Sequence, residues 1–161
     1  VKPPKEAGKV AEHVQNYVDI FNAVTGKDIK KEDLITMSEK VYNFQRVFQV
    51  RMKHGNAFHN VPLRGIGPVF ADEWDARKDY YDGKLREKGV DPAGLTTEEK
   101  VKKLQDFRLA EWEGLKLAVY KRRGWNKKGI PTVETLKRLG IDYPEVVAVV
   151  EKYSKPEDKF D

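Results

Sequence analysis

The stretch Thr96-Thr97-Glu98-Glu99-Lys100-Val101-Lys102-Lys103-Leu104-Gln105-Asp106-Phe107-Arg108-Leu109-Ala110-Glu111-Trp112-Glu113-Gly114-Leu115-Lys116-Leu117-Ala118-Val119-Tyr120-Lys121-Arg122-Arg123-Gly124 reads as one long helix. Thr96, followed three residues later by Glu99, forms a capping box in which the two side chains satisfy free amides at the helix start. Val101, Leu104, Phe107, Trp112, Leu115 and Val119 recur at helical spacing and are expected on the buried side, with Arg108 facing outward. Gly124 supplies the stop.

Working outward, the same spacing recurs on both sides. From Lys9 to Val24, Val10, Val14, Tyr17, Val18, Phe21 and Val24 fall on one stripe, and Gly26 ends it. A longer helix is expected from Lys31 to His54, with Leu34, Met37, Val41, Phe44 and Phe48 inward and Gly55 as its stop. Periodicity vanishes from Asn56 to Phe70, where Pro62, Gly65, Gly67 and Pro68 punctuate an irregular connection. A helix over Glu73 to Lys88 uses Trp74, Arg77, Tyr81 and Leu85. Thr132 caps a short helix carrying Leu136 and Leu139, and Pro144 opens a last one reaching Tyr153. No stretch alternates with period two. The expected class is all-α, a single domain of five or six packed helices over residues 1–153, followed by a frayed polar tail, 154–161.

At 161 residues the chain fits one domain with one core. The longest apolar run, Val146 to Val150, is far shorter than the roughly 20 residues that span a bilayer. The chain begins Val1-Lys2-Pro3-Pro4 without Met or a signal pattern, which suits a fragment, a processed chain or a trimmed one. Cysteine is absent, excluding disulfides, thiolate catalysis and the usual ligation of iron–sulfur clusters. A formal charge of +5 in so charged a chain is weak support for an anionic partner.

The candidate constellations are sparse. His13, His54 and His59 make no i, i+4 pair with a glutamate of the helical zinc type, and read as solvated or singly hydrogen-bonded. Arg64-Gly65-Ile66-Gly67 lacks the third glycine and the lysine of a phosphate loop. Asp72, Glu73 and Asp75 complement a helix start. Lys121-Arg122-Arg123 and Lys127-Lys128 flank Trp125, so a basic helical module binding nucleic acid or a protein partner is the alternative function. Asn43, Arg46 and Arg51 form a polar set among apolar neighbours.

Two stretches carry more specific information. Tyr120-Lys121-Arg122-Arg123-Gly124-Trp125-Asn126 with Gly129-Ile130-Pro131-Thr132-Val133-Glu134-Thr135-Leu136-Lys137-Arg138-Leu139-Gly140-Ile141 resembles the closing signature of the aldehyde:ferredoxin oxidoreductase family. Asn43-Phe44-Gln45-Arg46-Val47-Phe48-Gln49-Val50-Arg51, after a Thr25-Gly26 turn, resembles that family's Asn-x-x-Arg-x-Phe-Asn-x-Arg helix. Lys2-Pro3-Pro4 resembles the segment after the last cluster cysteine in some members, including the tungsten subunit of benzoyl-coenzyme A reductases. The departures are Gln49 for asparagine, Val119 for a second tyrosine, and extra length between Phe70 and Leu117.

The resemblance implies the C-terminal helical domain of a cytoplasmic enzyme that oxidises aldehydes with ferredoxin, or an iron–sulfur subunit, as electron acceptor. The complete enzyme would carry tungsten or molybdenum on two pterins and a [4Fe-4S] cluster. This chain would hold no catalytic, cofactor or metal ligand, and would pack against the upstream domains as part of the substrate-channel wall, with Arg46 and Arg51 beside the channel.

Overall fold

The computed structural model describes the backbone of residues 4–54 and 59–160, and side chains from residue 12 within those ranges. The Lys2-Pro3 opening, the Val10 side chain and the Gly55 stop lie outside the described residues. Seven α-helices form among the described residues, and none of those residues forms a strand. The helices are α1 (Pro4–Thr25), α2 (Lys31–Arg51), α3 (Ala71–Asp75), α4 (Lys78–Glu87), α5 (Thr97–Arg122), α6 (Val133–Leu139) and α7 (Pro144–Tyr153). Single 3-10 turns form at Leu63–Ile66 and Pro156–Asp158. The chain divides into two compact units, and the buried apolar residues form one cluster in each where a single core was expected.

The first unit comprises residues 1–53 and 130–154. In it α2 packs on α1, α6 and α7, and α6 packs on α7. The core is Val47 and Val50 of α2 with Leu136, Leu139, Ile141 and Val150. Burying each of these side chains contributes about 1.5–3 kcal/mol against exposure. Thr132 Oγ1 accepts the Thr135 amide at 3.2 Å, the expected cap of α6, and the Ile141 amide returns to the Leu136 carbonyl at 3.0 Å to close it.

Helix α2 is rotated from the expected register. Asn43, Arg46, Val47 and Val50 face the core, while Val41, Phe44 and Phe48 are 59%, 47% and 56% exposed. Both sets have helical spacing, so periodicity could not choose between them. The set that meets α6 and α7 is the buried one. In α1, Val18 is buried, but Tyr17 and Val24 of the expected stripe are exposed.

The second unit comprises residues 54–129 and 155–161. Here α5 packs on α3, α4 and the Leu63–Ile66 turn. Both halves of the capping box form: the Glu99 amide donates to Thr96 Oγ1 at 3.2 Å, and the Thr96 amide donates to Glu99 Oε2 at 2.8 Å. Trp74, Leu85, Val101 and Leu104 make the core, with Tyr81 and Val90 against it. The single helix expected over Glu73 to Lys88 is two helices, broken at Arg77, whose φ of −137° leaves helical geometry. Arg77 is exposed, so nothing draws it inward.

Three expectations fail along α5 and beyond it. Leu115 and Val119 are exposed, and Arg108 turns inward. Gln105, Arg108 and Trp112 share one face of α5 and hold the irregular connection by its carbonyls: Gln105 Nε2 to Pro68 at 2.7 Å, Arg108 Nη1 to Ile66 at 3.2 Å and Trp112 Nε1 to His59 at 3.2 Å. A segment with no apolar period is thus ordered by donors from a neighbouring helix. At Gly67 a β-carbon would stand 2.8 Å from Arg108 Nη1, which is why glycine suits that approach. Residues 154–160, expected to fray, contain the Pro156–Asp158 turn; Asp158 is buried, accepts the Lys155 amide at 2.9 Å and pairs with Lys128 Nζ at 3.1 Å.

Candidate functional site

Helix α2 places the two arginines singled out by the sequence on different sides. They are five residues apart, about 140° around a helix. Arg46 is 3% exposed, and its Nη1 donates to Gln49 Oε1 at 3.2 Å. Arg51, in the last turn, is exposed and lines a cleft of about 270 Å³. The two therefore do not form one site. Asn43, also buried, donates from Nδ2 to the Glu39 carbonyl at 2.8 Å and serves the helix itself.

The cleft is built from two helices of the first unit. Phe44, Val47, Phe48 and Arg51 come from the C-terminal half of α2; Tyr143, Glu145, Val146 and Val149 come from the start of α7. Its lining is mostly apolar, with one cation and one anion. Each charge suits its helix end: Arg51 stands at the negative end of α2 and Glu145 at the positive end of α7. Sequence reading missed the α7 side, because residues about a hundred positions apart share no local pattern.

The second unit holds an aromatic group built on the closing signature. Tyr120 is 3% exposed and Trp125 is 2% exposed. His59 Nδ1 is hydrogen-bonded to the Tyr120 hydroxyl, and its ring lies nearly parallel to the Trp125 indole, 6.3 Å between centroids. Tyr120 and Trp125 rings are 5.6 Å apart. His59, read from sequence as a bland loop residue, is tied twice, once by its ring and once by its carbonyl.

Three cations of the basic run beside this group have partners within the unit. Lys121 lies 5.9 Å above the Phe160 ring, Arg123 lies 5.7 Å above the Trp125 ring, and Lys128 pairs with Asp158. With its indole buried, Trp125 offers no free face for stacking a base.

A metal or cluster does not fit these residues. Among the described residues no group of three or more His, Cys, Asp or Glu is placed to hold an ion, and the sequence contains no cysteine. No step through such a group is assigned to this chain. No helix among the described residues is long and apolar enough to cross a membrane.

The seven helices of the described residues carry both motif stretches, and comparison with known families agrees with the resemblance those stretches bear. The family model described as aldehyde ferredoxin oxidoreductase, domains 2 and 3, matches residues 5–141, so the chain belongs to the aldehyde ferredoxin oxidoreductase family. No curated protein and no solved structure matches it.

Proposed function

We propose that this chain serves as a substrate-channel wall in a tungsten or molybdenum bis-pterin enzyme that oxidises aldehydes and passes the electrons to ferredoxin or an iron–sulfur subunit. The metal site and the [4Fe-4S] cluster would belong to other domains of that enzyme, against which this chain packs. When bound there, the metal centre accepts two electrons from the substrate; this chain contributes shape and the exclusion of water.

The observation that carries the reading is the cleft between α2 and α7. It lies on the helix that bears the family's asparagine–arginine motif, and its rings are left open to solvent. Packing of the other domains over Met37 and Val41, beside the cleft, would cover an apolar face that water otherwise meets. Of the two arginines, exposed Arg51 would meet a passing substrate, while buried Arg46 would brace α2 from inside.

The test uses the complete enzyme. Phe48→Trp narrows the cleft and is expected to lower kcat/KM for bulky aromatic aldehydes about tenfold relative to acetaldehyde, a difference of about 1.4 kcal/mol. Equal effects on both substrates would sink the channel-wall role. Reduction of an activated aromatic acid in place of aldehyde oxidation would place the enzyme in the benzoyl-coenzyme A reductase branch. The 161-residue chain alone is expected to carry no tungsten, molybdenum or iron after dialysis, and stoichiometric metal by elemental analysis would overturn that division of labour.

A further inference from the structure

Arg51 makes an odd neighbour for Phe44, Phe48, Val146 and Val149. Among the described residues its guanidinium has neither a hydrogen-bonded nor an ion-paired partner, although Glu145 lines the same cleft. Glu145 lies in the first turn of α7, where free amides offset its charge. A forked donor therefore stands at the edge of a mostly apolar cleft with its donors open to a planar anion.

We propose that the cleft binds a small monocarboxylate with an aromatic or branched apolar body, the carboxylate on Arg51 and the body between the two phenylalanines and the α7 valines. The inference rests on the channel-wall reading only for the guest's place in turnover, as an aldehyde's carboxylate product on its way out. A volume of about 270 Å³ admits a single-ring guest. A second carboxylate placed among the valines would lose its hydration, so the apolar body of a monocarboxylate is favoured there.

Magnitudes set the method. An eleven-atom guest at about 0.3 kcal/mol per heavy atom binds with a Kd of a few millimolar, a range that heteronuclear NMR reads well. An exposed guanidinium–carboxylate pair contributes up to about fivefold in affinity, and salt weakens it.

The probe is 3-phenylpropionate, titrated into the nitrogen-15-labelled 161-residue chain beside 3-phenylpropan-1-ol, which has the same body without the charge. Saturable shifts confined to amides of residues 44–51, 143 and 145–149 are expected, with the alcohol weaker by up to about fivefold. Arg51→Gln should lose that difference and Arg51→Lys should retain part of it, because lysine keeps the charge without the fork. No saturable shift, shifts elsewhere, or equal affinity for acid and alcohol in the wild-type chain would overturn the proposal, even if Arg51→Gln failed to fold. Binding in the chain combined with a Phe48→Trp complete enzyme of unchanged selectivity would keep the cleft and remove its role in the channel.

Discussion

The phenol of Tyr120 occupies the space that a side chain at Gly129 would need: a β-carbon there falls 2.7 Å from Tyr120 Cζ. Gly129 also has φ +69°, a conformation in which any other residue is strained. Gly129→Ala is therefore expected to cost about 2–4 kcal/mol, from backbone strain and the clash together. Gly114, inside α5, has nothing within 4 Å of its would-be β-carbon, so Gly114→Ala should stabilise by roughly 0.5–1 kcal/mol. Urea unfolding of both variants checks the opposite signs, and two variants shifted the same way would contradict the Tyr120 contact.

Trp125 closes the group formed with Tyr120 and His59, and its burial identifies it as a packing residue. Trp125→Ala is expected to cost about 3–5 kcal/mol. An unchanged denaturation midpoint with an unchanged slope would show that the indole is not anchored there.

Asp82 and Lys100 form a buried pair at 3.4 Å, and Asp82 Oδ1 also accepts the Trp74 indole N–H at 3.1 Å. Asp82→Ala strands a buried cation and a buried donor, so a loss of about 3–5 kcal/mol is expected. Removing both charges with Asp82→Leu and Lys100→Met should recover much of it, leaving mainly the orphaned indole. If the double variant is no more stable than Asp82→Ala, Lys100 is not the source of the penalty.

Glu73 reaches back to the connection that precedes α3, accepting the Val69 amide at 2.9 Å and pairing with Arg64. The Val69 N–H first, and then the Arg64 guanidinium, hold its carboxyl below the usual glutamate range. A carboxylate whose folded pKa is depressed contributes stability that is complete above its unfolded pKa, about 4.3, and lost as pH falls through the folded value. Glu73→Gln should thus be less stable than wild type at pH 7 and converge with it at low pH. A gap of the same size at pH 7 and at pH 3 would mean that the charge is not what matters.

The sequence by itself determined the kind of element and most of the ends. Thr96 with Glu99, Thr132 before α6 and Pro144 opening α7 all act within one turn, and local chemistry suffices to read them. The two motif stretches led to the family without any coordinates, and the family model spans both. What the tertiary structure decided is which side of each helix is inside. Along α2, Val41-Phe44-Phe48 and Asn43-Arg46-Val47-Val50 are equally periodic, and only the packing of α6 and α7 selects the second. The irregular connection was legible as a loop but not as a held one, because Gln105, Arg108 and Trp112 reach it from 37 to 53 residues away. The cleft has the same origin: Arg51 and Glu145 acquire a common environment when α2 and α7 meet, and nothing in the spacing of either helix encodes the other.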